Sequence, residues 1–192
     1  ADDYLIKDQL TAEQLEQSLG KSMNLLKMRT GLIHREGANY NSQLFRQDLL
    51  QRVINGSPSE ATQAYAAQLG ISWTYPWFAL GLVSIRLSSF DKRFRQTELP
   101  LILYAVYNIA TELSESYEGI TPFMEQGNIV ILHNFRVNLA QNASLHLHHY
   151  LQRLRYQCLH FLKIQPNVVS VTDKMELSSI GSVYQDIFLG KY

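Results

Sequence analysis

Two apolar runs, Ile120 to Glu125 and Asn128 to Asn134, meet at Gln126-Gly127. A glycine in a two-residue connection supplies the positive φ that a tight hairpin needs, so the runs predict two antiparallel strands. Segments on both sides extend the pattern. Trp77 to Leu87 is rich in strand formers (Phe78, Leu80, Leu82, Val83, Ile85), and Asn167 to Asp173 carries Val168, Val169 and Val171. Thr97 to Tyr117 reads as a helix, with Pro100 tolerable because it falls in the first turn. Ser144 to Leu162 reads as a second helix and Leu177 to Leu189 as a closing one.

Helical signals also precede the first strand. Thr11 and Gln14 form a capping-box pair, with Leu10 and Leu15 placed as a hydrophobic staple. That start predicts a helix to about Arg29, with an apolar stripe at Leu15, Leu19, Met23 and Leu26. Gly31 to Tyr40 holds two glycines and reads as a bend or linker. Ser42 to Asn55 is helical again, with Leu44, Phe45, Leu49, Leu50, Val53 and Ile54 on one broad face and Gly56 at its stop. Ser57-Pro58-Ser59-Glu60 starts another helix that ends near Gly70, with Ser57 as its expected cap. The order strand, helix, strand, strand, helix, strand predicts an α+β fold. It is a ferredoxin-like βαββαβ antiparallel sheet with both crossover helices on one face, behind an N-terminal helical extension.

Charge and composition narrow the function classes. The 17 basic and 17 acidic side chains cancel, so no field of one sign attracts DNA or an anionic membrane. The longest apolar stretch, Leu99 to Ala110, is too short to span a bilayer, and no membrane partner is expected. Cys158 is the only cysteine, which excludes an internal disulfide and fits a cytoplasmic location. Leu159, Phe161 and Leu162 crowd it, an apolar setting that suits an inert thiol.

Other constellations are less specific. His146 and His149 of His146-Leu147-His148-His149 share a helix face and could share a metal. No Cys or acid lies nearby to complete a ligand set, so partly exposed surface histidines are the simpler expectation. Lys92-Arg93-Phe94-Arg95, with Arg86 before it, offers a short basic run after the first strand that could bind an anion, although such runs are mostly solvated surface. Tyr75-Pro76-Trp77-Phe78 and the tyrosines at 104 and 107 could line a ligand pocket, although aromatics beside a strand are more often core. No dinucleotide or phosphate-loop motif, zinc-type cysteine spacing or Ser-His-Asp grouping appears, and no cofactor is expected.

Ala1-Asp2-Asp3-Tyr4-Leu5-Ile6-Lys7 resembles the last strand of a bacterial receiver domain, and the capped helix after it resembles that domain's closing helix. From Phe45 onward the chain resembles the degenerate GGDEF-like domain of large AraC-type response regulators. The resemblance rests on Leu44-Phe45-Arg46-Gln47-Asp48-Leu49-Leu50, Ala67-Gln68-Leu69-Gly70-Ile71, Phe90-Asp91 and Ser182-Val183-Tyr184-Gln185-Asp186. It implies a receiver tail over 1–30, a helical linker over 31–70 and a GGDEF-like domain over 71–192. Lys7 would be the receiver's switch lysine, its partner aspartate lying before Ala1.

The resemblance also bears on catalysis. Diguanylate cyclases hold metal ions with carboxylates, because Mg²⁺ needs hard anionic oxygens. The signature hairpin here reads Glu125-Gln126-Gly127-Asn128-Ile129, and the first-strand acids fall at about Arg86 and Ser88. A cation and a hydroxyl cannot grip Mg²⁺, and no Arg between Thr111 and Met124 supplies the product-feedback site. The expectation is therefore a chain with no catalytic or metal residues. It would transmit a signal and control transcription as a homodimer, through Leu15, Leu19, Met23 and Leu26. A sensor histidine kinase would act through the receiver, and DNA would be bound only through a helix-turn-helix domain after Tyr192. The alternative is a small-molecule or nucleotide sensor that uses the retired cleft near Arg86, Ser88 and Asn128.

Overall fold

A computed structural model of the chain describes residues 36–86, 95–136 and 140–190. The receiver-like tail with Lys7, the stripe Leu15, Leu19, Met23 and Leu26, and Ser88 lie outside the described residues. Within them the fold is α+β, with a four-stranded antiparallel sheet and five α-helices. Helices α1 (Glu36–Asn55) and α2 (Glu60–Gln68) come first. Then follow β1 (Trp77–Ser84), α3 (Leu99–Ser114), β2 (Ile120–Glu125), β3 (Asn128–Phe135), α4 (Ala140–Leu162), β4 (Asn167–Met175) and α5 (Ile180–Phe188). The strands lie in the order β2-β3-β1-β4, and every neighbouring pair is antiparallel.

Successive strand residues point to opposite faces, so each central strand feeds two cores. On one face Ala79, Val83, Ile129, Ile131 and Phe135 pack with α3 and α4. On the other, Phe78, Leu80, Leu82, Val130 and Leu132 pack with α1, α2 and α5. Burial on both sides explains why β1 and β3 read as continuous apolar runs rather than as alternation. Helices α3 and α4 meet the sheet along regular stripes, such as Ile102, Val106, Ile109 and Leu113 on α3 and Leu147, Leu151, Leu154 and Cys158 on α4. The buried Tyr150 hydroxyl of α4 donates to the Ala110 carbonyl of α3 at 2.7 Å and ties the two helices together. The opposite face is closed by Leu49, Leu50, Val53 and Ile54 of α1 and by Ile180, Tyr184 and Ile187 of α5.

Several boundaries differ from those the sequence predicts. Helix α1 begins at Glu36 inside the expected bend and runs through Gly37, a residue that costs about 1 kcal/mol in a helix without preventing one. The cap of α2 is Ser59 rather than Ser57, and its N–H donates to Thr62 Oγ1 at 3.1 Å. Strand β1 stops at Ser84 instead of Leu87, because its partners Asn128 and Asn167 are the first residues of β3 and β4 and leave nothing further to pair. Helix α3 starts at Leu99 after a 3₁₀ turn over Gln96–Glu98 and ends at Ser114, while α4 starts earlier than expected, at Ala140. Edge strand β2 carries Pro122, which withholds a donor from any further strand. Among the described residues no helix is long and apolar enough to cross a membrane.

Candidate functional site

Of the residues expected at the cleft, Ser88 lies outside the described residues, and the sheet register places Arg86 at the hairpin end. Ser84 pairs with Asn128, so Arg86 comes just past the tip of the β2–β3 hairpin. The turn residues Gln126 and Gly127 both take left-handed backbone, at φ 44° and 79°, the geometry of a two-residue hairpin whose twist matches its strands. Arg86 is exposed and Asn128 half-buried.

Glu125 behaves differently from its turn neighbours. It shares a strand face with Phe123 and points beneath α1, with only 6% of its surface exposed. Its Oε2 accepts a hydrogen bond from Gln51 Nε2, and Gln51 Oε1 in turn accepts from Asn55 Nδ2. The Tyr184 phenol on α5 has its pKa raised, first by burial and then by the Glu125 carboxylate. The hairpin's one acid is thus turned into the protein and bonded there.

A cavity of about 380 Å³ opens at the other end of the sheet, lined in part by Tyr75, Glu118, His133, Phe135, Arg136 and His146. Its floor is set by strand parity. His133 follows Ile129 and Ile131 on the face toward α4 and pairs with Ala79 and Ile120. It is 3% exposed, and its Nδ1 has no hydrogen-bond partner. Burial, followed by the charge of His146, pushes its pKa down to about 4, so the ring is neutral at pH 7. The His133 ring lies 5.2 Å from that of Phe135 and 5.1 Å from that of His146, which makes one aromatic wall.

The rim of the cavity is held by a small hydrogen-bond network. Asn134 Oδ1 accepts from the Tyr75 N–H at 3.1 Å, and its Nδ2 donates to the Tyr75 and Trp77 carbonyls at 2.7 and 3.0 Å. The Asn134 N–H donates to the Gly119 carbonyl at 2.9 Å. Arg136 lies over the Tyr75 ring at 4.7 Å, and the Tyr75 hydroxyl donates to Glu118 Oε1 at 3.4 Å. His146 Nε2 lies 3.2 Å from the Glu118 carbonyl, which can only accept, so Nε2 carries the hydrogen.

Helix geometry puts His146 and His149 on one face, and what they share is Tyr117. Its ring is 5.2 Å from His146 and 5.6 Å from His149, and its hydroxyl is 2.6 Å from His149 Nδ1. Among the described residues no three His, Cys, Asp or Glu side chains come together as a metal site. Cys158 is buried, and desolvation raises its pKa to about 12, so it carries no thiolate at neutral pH. Sequence reasoning picked out the helix histidines and passed over His133. The signal was there: a titratable side chain in the apolar stripe Ile129, Ile131, His133, Phe135. Comparison with protein-family models, with curated proteins and with solved structures gives no match.

Proposed function

We propose that the chain is a non-catalytic signal-transmission and dimerisation module from a two-component response regulator that controls transcription, built on a ferredoxin-like, cyclase-derived scaffold. The strand order β2-β3-β1-β4 and the two crossover helices on one face support the scaffold. The observation that carries the non-catalytic reading is the position of Glu125. A cyclase hairpin must present acids to metal-bound phosphates, and here the one hairpin acid is buried and bonded to Gln51 of α1. That bond does a different job: it latches the helix leading into the domain onto the hairpin. A displacement of α1 therefore reaches the sheet through Leu49, Leu50 and Val53 and reaches the hairpin through Gln51. Input would come from a receiver and its kinase, and output would go to a separate DNA-binding domain, with Leu15, Leu19, Met23 and Leu26 as the pairing stripe.

Light scattering tests the reading. A dimer at high protein concentration that Leu19→Asp converts to a monomer is the expected result. A monomer at every concentration, with Leu19→Asp indistinguishable from it, overturns the dimer. Turnover of GTP in the presence of Mg²⁺ overturns the non-catalytic assignment.

A further inference from the structure

We propose that the free edge of β4 is a self-pairing surface, onto which β4 of a second copy of this chain adds antiparallel about a two-fold axis at Val169. The proposal rests on the dimerisation reading above and gives the described domain its own contact in that dimer.

Backbone parity comes first. The Asn134 N–H bonds the Gly119 carbonyl, so even-numbered residues of β3 turn their N–H and C=O toward β2 and odd-numbered ones toward β1. The register carries this across the sheet. Odd-numbered residues of β1 bond β3, and its Ser84, Leu82 and Leu80 bond Asn167, Val169 and Val171 of β4. Val168 and Ser170 therefore turn both backbone groups outward, where among the described residues no strand meets them. The same parity turns Pro122 of β2 outward, so the opposite edge lacks a donor there. Asn167-Val168-Val169-Ser170-Val171 has neither proline nor charge, the usual guards of an edge strand.

Symmetry identifies the occupant. One antiparallel register of β4 on itself uses every outward group of both copies, with Val168 opposite the partner's Ser170 and Ser170 opposite the partner's Val168. It needs only the regular part of the strand, before the irregularity between Val171 and Met175. It also sets Val169, an exposed apolar side chain, against the partner's Val169 in a non-hydrogen-bonded pair, where side chains approach most closely.

Helix α4 fits the same arrangement. It packs over β1 and β4, so pairing the two edges brings the two copies of α4 to about 10 Å, two strand spacings, which is the packing distance of helices. Tyr150 of α4 bonds α3, and Leu159 follows it by about two and a half helical turns. Leu159 is therefore on the flank away from α3, where it is exposed and meets the partner. Gln152 and Arg155 share that flank. A formal net charge of zero leaves no net repulsion between copies. The patch is smaller than a free-standing dimer needs, so it acts within the dimer held by Leu15, Leu19, Met23 and Leu26, which raises the local concentration of the second edge.

The test oxidises cysteine variants of the 192-residue chain and follows the disulfide-linked dimer on non-reducing gels. Cys158 is buried, with its pKa pushed up to about 12, and stays silent. Val169→Cys should couple at least about tenfold faster than Ser116→Cys, an exposed site just after α3, because pairing holds the two thiols together. Ser170→Cys faces the partner's Val168 and should couple more slowly than Val169→Cys. Ser170→Pro removes only an outward N–H. Added to Val169→Cys, it should bring coupling down to the Ser116→Cys rate with the far-UV spectrum unchanged. Coupling of Val169→Cys no faster than that of Ser116→Cys overturns the proposal, and so does coupling indifferent to Ser170→Pro. The stripe is judged separately. Leu19→Asp should slow the coupling of Val169→Cys. A dimer that Leu19→Asp abolishes, with no preference for Val169→Cys, overturns the edge alone. Fast coupling that Leu19→Asp leaves unchanged keeps the edge and overturns the stripe.

Discussion

Glu125 and His133 sit near opposite ends of the β2–β3 pair, both polar and both almost closed off from water, yet only one is satisfied. Glu125 faces α1, and Gln51 bonds its carboxylate. His133 faces α4 with Nδ1 unpaired and its pKa driven down by burial. The difference separates two uses of a buried polar group. A satisfied one fixes how elements meet, and an unsatisfied one carries the cost of its burial.

The glycines at the two ends sharpen this contrast most. Gly119 and Gly127 share nearly the same backbone, at φ 77° and 79°. A Cβ on Gly127 would meet nothing within 4 Å, whereas one on Gly119 would lie 2.2 Å from the Asn134 carbonyl oxygen. Gly127→Ala therefore carries only the left-handed backbone cost, about 1 kcal/mol. Gly119→Ala adds a collision with backbone that the Asn134 bonds to Tyr75 and Trp77 hold in place, and should lose about 3 kcal/mol or more in denaturant unfolding. Equal losses at the two sites would mean that the rim of the cavity is not held as described.

The next effect is pH dependence at the cavity end. The folded-state pKa of His133 lies near 4, below its ordinary 6.5, so between those values the unfolded chain takes up the proton more readily. Its contribution is intact above about pH 6.5 and is lost as the pH falls toward 4, by up to about 3 kcal/mol. His133→Phe should remove that part of the acid slope while other carboxylate and histidine contributions remain. Parallel stability curves for parent and variant over this window would show that His133 is not held neutral by burial.

The hairpin end offers a further effect, smaller than the loss at Gly119. Glu125→Ala strands the Gln51 amide and should cost about 2 kcal/mol, whereas Glu125→Gln keeps an acceptor for Gln51 Nε2 and should cost less. Equal losses from the two substitutions would remove the latch between α1 and the hairpin.

Much of the fold is legible in local chemistry. Gln126-Gly127 between apolar runs dictates the hairpin, and the 3.6-residue stripes of α3 and α4 announce their buried faces. The early end of β1 has a tertiary cause, because pairing partners decide where a strand stops. Ile85 has every strand-forming feature but lies past the last residues of β3 and β4 that could bond to it. The candidate sites were legible to different degrees. Arg86 was expected near the hairpin from the resemblance, and it is the β1–β3 register, not spacing, that brings it there. Nothing local to Glu125 says whether it faces solvent or α1, and nothing local to His146 says that its ring packs on Tyr117 and His133.

By itself, then, the sequence determined the order of the elements, the hairpin turn and the apolar stripes, because each depends on residues a few positions apart. The tertiary structure alone decided that α1 and α5 cover the second face of the sheet, that Glu125 meets Gln51 and that His133 Nδ1 is left without a hydrogen bond. Those outcomes depend on contacts between residues far apart in the chain, where burial and pairing are set by the whole packing rather than by any one segment.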